Sequence, residues 1–202
     1  MAFLHGYGFG LLMAFFIGPV FFYLLQTSLE HGTRSGMAAA IGIFTSDIAA
    51  VTLCYFWASK LFEGGQNEFW LSLIGGLILV VFGLGYIFKP KLPTKQKIKI
   101  KKADYVTFFT KAFLVNFVNP FVFLVWISII GLGQSQYHAE NEVILFLAAA
   151  LLGVITTDTL KVIGCRYLRR VIEPHFLLKV YRIIGIVLLA FSIRLFWHAF
   201  TL

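Results

Sequence analysis

The sequence predicts an all-α integral membrane protein: six transmembrane helices arranged as two inverted-topology three-helix repeats. Composition, the spacing of apolar runs and a motif that recurs in each half carry that prediction. Of 202 residues, 59% are hydrophobic and only 13% are charged, about half the charge that coats a soluble globule. A chain this poor in charge cannot present a water-facing surface. Six spans of about 20 residues each consume most of the length, which excludes large extramembrane domains and leaves little room for soluble catalytic machinery.

The apolar runs cover residues 3–26, 37–59, 69–88, 108–131, 143–165 and 180–201. They are continuous rather than alternating, so they read as helices and not as barrel strands. The first run lacks a basic leading segment and continues to Gln26 without a small-residue cleavage site, which reads as a retained span and not a signal peptide. Between the runs lie short pieces with turn chemistry, such as His31-Gly32-Thr33-Arg34-Ser35-Gly36 and Glu63-Gly64-Gly65-Gln66-Asn67.

Net charge is +8, and its distribution matters more than its sum. The third loop holds Lys89, Lys91, Lys95, Lys97, Lys99, Lys101 and Lys102 against Asp104, and the fifth holds Arg166, Arg169, Arg170, Lys179 and Arg182 against Glu173. The second has Lys60 against Glu63 and Glu68, and the fourth has only Glu140 and Glu142. Basic loops stay in the cytoplasm. Odd-numbered loops are therefore expected in the cytoplasm and both chain ends outside. The lysine run lacks interleaved aromatic residues, so it reads as a topology signal and not as a nucleic-acid site. The expected organisation is a single membrane domain over 1–202, with repeat one at 1–88, a basic cytoplasmic linker at 89–107 and repeat two at 108–202.

The repeat rests on Gly42-Ile43-Phe44-Thr45-Ser46-Asp47 in the second span and Gly153-Val154-Ile155-Thr156-Thr157-Asp158 in the fifth, each followed seven residues on by a cysteine. Gly18-Pro19 in the first span corresponds to Asn119-Pro120 in the fourth. Three spans per copy is an odd number, so the second copy enters from the opposite side, as in many secondary transporters. Proline inside a span removes an amide donor, and the freed carbonyls need partners at membrane depth. Gly18, Pro19 and Pro120 are therefore expected helix breaks, with Asn116 and Asn119 as amides beside the second break. Paired breaks at corresponding positions point to a midplane binding site.

Asp47 and Asp158 fall near mid-depth, where a carboxylate must face protein, take up a proton or meet a cation. Lys161 follows Asp158 by three residues on the same helical face, so it is either an ion-pair partner or a binding group for a substrate carboxylate. Asp47 has no such neighbour; Thr45 and Ser46 flank it as donors, and Lys161, Arg194 or the fourth span are candidate partners. Arg194 reads as a residue reaching the outer surface beside Trp197 and His198. Cys54 and Cys165 lack metal or redox spacing, and no phosphate-binding loop occurs. Neither a metal site, a cofactor nor catalytic residues are expected.

Gly18-Pro19, Gly32, Gly36, Gly42, Asp47, Gly75-Gly76, Gly83, Asn116-x-x-Asn119-Pro120 and Gly185 through Arg194 resemble the LysE-type amino-acid exporter family over essentially the whole chain. That resemblance implies an inner-membrane carrier that exports amino acids or related metabolites, driven by proton entry. It also implies functional roles for Pro19, Asp47, Asn119, Pro120 and Asp158. Phe121 departs from the pattern, since many relatives carry a basic residue after Asn-Pro; this weakens inference to any one substrate, lysine included. The expected partners are a small-molecule amino acid and the lipid bilayer, without nucleic acid, and a homo-oligomer is compatible with the chain. A metal-ion exporter and, more remotely, a membrane thiol-disulfide electron carrier are the alternatives.

Overall fold

In the computed structural model, which describes residues 1–15, 18–61, 66–88, 104–165, 167 and 174–201, the described chain is helical throughout. The elements are α1 (Ala2–Leu12), a 3-10 turn (Met13–Phe15), α2 (Pro19–His31), α3 (Thr33–Leu61), α4 (Gln66–Phe88), α5 (Asp104–Phe117), α6 (Pro120–Gln136), α7 (Glu140–Ile163) and α8 (Pro174–Thr201). Most of the expected basic linker at 89–107, the 62–65 turn and the charges from Arg166 through Glu173, apart from Tyr167, lie outside the described residues.

Three helices are each long and apolar enough to cross a membrane, covering Thr33–Phe56, Glu140–Ile163 and Leu178–Thr201. Two further apolar pairs are bent at short breaks, α1 with α2 by 75° and α5 with α6 by 67°. Counting each bent pair as one gives up to five candidate spans; the apolar part of α4, Ser72–Phe88, is shorter. After each break the chain resumes its helix at a proline. Pro19 and Pro120 each occupy the first turn of a new helix, where a missing amide hydrogen costs nothing and the fixed φ suits the helix. Gly18 before Pro19 is extended, at φ −146° and ψ −170°. Asn119 before Pro120, at φ −81° and ψ 108°, caps α6 by accepting a hydrogen bond from the Phe121 amide at 3.1 Å. The prolines thus start helices rather than kink continuous ones, and the residue before each is pushed out of helical conformation.

The chain divides into two compact units. One comprises Met1–Cys54 and Pro93–Glu173; the other comprises Tyr55–Leu92 and Pro174–Leu202. In the first unit, α1 lies along α7 in the same direction, Gly6 against Phe146 and Gly10 against Ala150. Ala2, Gly6 and Gly10 recur every four residues and form the buried edge of α1, a small-residue face that lets backbones approach. A side chain at Gly6 would run into the Phe146 carbonyl oxygen. Elsewhere in this unit, Leu24, Ala39, Ala40, Ile43, Ala112 and Val162 interlock α2, α3, α5 and α7.

In the second unit, α4 and α8 run antiparallel, with Phe69 against Phe200 near one end and Tyr86 against Tyr181 near the other. Their crossing is reciprocal. A Cβ on Gly83 would meet the Gly185 carbonyl oxygen at 3.0 Å, and one on Gly185 would meet the Gly83 carbonyl oxygen at 2.7 Å. Trp70, Ile74, Leu77, Val81, Phe88, Ile186 and Ile193 are exposed along these helices, as lipid-facing surface should be.

Candidate functional site

Within the first unit, the candidate polar groups lie on α3, α5, α6 and α7. Asp47, in α3, is 5% exposed. Two donors converge on its Oδ1: the Asn116 amide nitrogen at 2.8 Å and the Trp126 indole nitrogen at 3.1 Å. Asn116 is in the last turn of α5, and Trp126 is six residues beyond Pro120 in α6. One carboxyl oxygen therefore ties α3 to both sides of the 67° break. The Asn116 amide also reaches Ser46 Oγ at 3.2 Å and the Ile43 carbonyl at 3.4 Å. These donors replace the water that a buried carboxyl would otherwise lose. Among the described residues, no hydrogen bond reaches the Oδ2 oxygen.

Asp158 and Lys161 form an ion pair on α7, Nζ to Oδ1 at 3.0 Å, with side chains 7% and 13% exposed. The Lys161 ammonium also lies 5.7 Å from the centre of the Phe21 ring, two residues after Pro19. Such placement over an aromatic face is favourable for a desolvated cation. Asp47 and Asp158 are the buried acids among the described residues, and Lys161 pairs with the second of them. Two carboxyls against one ammonium leave a single negative charge in excess when both acids are ionised.

The structure thus brings Asp47 together with Asn116, and Asp158 with Lys161. Asn119 is engaged as the cap of α6, and Gly18 and Pro19 begin α2 next to Phe21. Thr45 does not serve Asp47: its hydroxyl donates to the Ile41 carbonyl at 2.8 Å on an exposed face, and Ser46 accepts from Asn116 instead. Arg194 is exposed on α8, in the other unit. Cys54 and Cys165 are buried free thiols. Among the described residues, no three His, Cys, Asp or Glu side chains are grouped to hold a metal ion.

Two contributors escaped the sequence reading. Trp126 is completely buried, and the signal for it was an indole N–H within an apolar run, which needs a partner when buried. Phe21 carries no such signal, because nothing distinguishes it from the many other phenylalanines of an apolar chain.

Residues 11–198, nearly the whole chain, match the LysE type translocator family. The chain is also similar to an uncharacterized membrane protein of Pseudomonas aeruginosa, 28% identical over 116 residues, which is 55% of this chain and 54% of the relative. It therefore spans about half the length of the curated relative it matches. No solved structure matches it.

Proposed function

The chain belongs to the LysE type translocator family, and on that premise we propose that it is a secondary exporter of amino acids or closely related metabolites. Proton entry drives it by alternating access in a bacterial inner membrane. The observation that carries this reading is where the ionisable groups lie relative to the breaks. Asp47 is held by residues on either side of the α5–α6 break, and Lys161, paired with Asp158, lies against the residue that follows the break before α2. Each acid-bearing helix of one proposed repeat thus meets the broken helix of the other.

Further geometry supports six spans in two inverted repeats. Gly42 and Gly153, corresponding residues of the repeated motif, are each crossed closely by a broken helix: Gly42 by Phe109 of α5, and Gly153 by Tyr7 of α1. The Gly83–Gly185 contact is reciprocal, as a two-fold relation between the repeats would require. Six successive crossings make the first and fifth spans parallel and the third and sixth antiparallel, and α1 with α7 and α4 with α8 run so. The basic odd-numbered loops of the sequence support a topology with both termini in the periplasm.

In this mechanism the cargo ammonium is met by Asp47, whose Oδ2 is available, and its carboxylate by Lys161 or by the amides that begin α2 and α6. Proton and ammonium compete for the one excess negative charge, so release of cargo outward and entry of a proton are linked. The test is efflux of a preloaded amino-acid mixture from vesicles containing the purified protein, with and without an imposed proton gradient. Gradient-accelerated efflux that Asp47→Asn abolishes is expected. Wild-type flux indifferent to the gradient, or normal coupled flux in Asp47→Asn, refutes the proton role, and no efflux of any amino acid refutes the substrate class.

A further inference from the structure

Hydrogen-bond geometry around Asp47 has a consequence for the broken helix itself. The residues joining α5 to α6 are short, and the bend at Asn119-Pro120 lacks the continuous ladder of backbone bonds that stiffens an unbroken helix. The few bonds at the break, Asn119 N–H to the Asn116 carbonyl, Val122 N–H to the Asn119 carbonyl and the Asn119 cap, leave the angle to be set also by contacts away from it. Two such contacts meet at one atom. Asn116 ends α5, Trp126 lies about 9 Å along α6 at 1.5 Å per residue, and both donate to Asp47 Oδ1. Asn116 is 3% exposed and Trp126 is fully enclosed, so water is poorly placed to substitute for either bond. The Trp126 N–H has Asp47 as its acceptor, whereas Asn116 also leans on Ser46 and Ile43.

We propose that Trp126 is a positioning residue: its indole, with the Asn116 amide, forms a two-point latch on Asp47 that sets the α5–α6 angle, and withdrawal of Asp47 Oδ1 releases the hinge. Anything that turns the carboxyl so that Oδ1 leaves its donors, a cargo ammonium drawn to Oδ2 included, is thereby converted into a change of angle between two rigid helices. The step from cargo to angle rests on the exporter reading above; the latch itself is a property of the protein alone and is tested without cargo.

The measurement is the distance between spin labels at Tyr105→Cys, near the start of α5, and Gln134→Cys, near the end of α6. The protein carries Cys54→Ser and Cys165→Ser and is reconstituted in lipid nanodiscs. Both label positions are exposed. With a 67° bend and arms of about 18 and 21 Å, the backbone ends are about 33 Å apart. A 20° straightening lengthens that to about 36 Å, a shift that pulsed dipolar spectroscopy resolves. In the wild type one narrow population is expected. Trp126→Phe and Asp47→Ala should each move or broaden it by about 3 Å, and Asp47→Asn, which keeps a carbonyl oxygen as acceptor, should restore it.

Combining Trp126→Phe with Asp47→Ala should add nothing to either change alone, because both open the same latch. An unmoved distance in Trp126→Phe overturns the proposal, as do shifts that add in the double variant. If Trp126→Phe fails to fold, benzothienylalanine at position 126 keeps the indole shape and deletes only the N–H. A wild-type distance in that protein overturns the latch, and a released one upholds it. Amino-acid efflux is read on the same variants reconstituted in sealed vesicles: released hinges without any wild-type efflux reject the exporter and keep the latch, whereas coupled efflux with an unmoved distance does the reverse.

Discussion

Replacing Gly10 with alanine tests whether the contact between α1 and α7 is as close as the backbone positions require. A Cβ at Gly10 would sit 2.8 Å from Gly153 Cα and overlap the Ala150 carbonyl oxygen. Carbon atoms rest about 3.5–4.0 Å apart, so the two helices must separate by about 1 Å or tilt. A radial gap of that size forfeits roughly a quarter to a half of each contact it opens, and overpacking of this kind costs about 1–3 kcal/mol. Alanine in place of glycine favours a helix by about 1 kcal/mol, which hides part of the loss. Gly8 supplies the control, because it lies on the same helix and a Cβ there meets nothing within 4 Å. The propensity gain is common to both variants and cancels in their difference. Gly10→Ala should therefore be less stable than Gly8→Ala by about 1–3 kcal/mol, or roughly 2–12 °C in melting temperature for a chain of this size. Thermal unfolding of the two purified variants in one detergent reads it. If Gly10→Ala melts at or above Gly8→Ala, the close approach of these helices is wrong.

Lys161→Met leaves Asp158 buried without its ammonium, so it should destabilise the protein by about 3 kcal/mol, and Asp158→Leu combined with it should recover most of that; equal melting of the single and double variants contradicts the pairing. Asn119→Ala removes the cap of α6 and should cost about 1 kcal/mol, whereas Asn119→Ser keeps an accepting oxygen and most of the stability; thermal melts that fail to separate the two refute the capping role. In the vesicle assay, Lys161→Met should slow amino-acid efflux even when the pH gradient is held constant, because the carboxylate loses its cation; unchanged efflux removes Lys161 from the binding site.

The breaks at Gly18-Pro19 and Asn119-Pro120 were legible because proline acts on its own backbone, whatever surrounds it. The Asp158–Lys161 pairing was legible as one of two options, because three residues on a helix bring two side chains to one face. Asp47 was different: the sequence offered Lys161, Arg194 or the fourth span as partners, and the structure supplied an amide and an indole from either side of a bend. Gly6 and Gly10 carry no local signal, since a glycine that admits a neighbouring backbone looks like any other glycine until the neighbour is known.

What the amino-acid sequence determined alone was everything that depends on a residue and its near neighbours along the chain: apolar lengths matched to a bilayer, helix ends at proline, and a membrane location imposed by scarcity of charge. What only the tertiary structure decided was which polar groups share a site. Hydrogen bonds act over about 3 Å, and Asp47 meets Asn116 and Trp126 across 69 and 79 residues of chain. Packing of glycine faces selects those meetings, and local propensity carries no record of them.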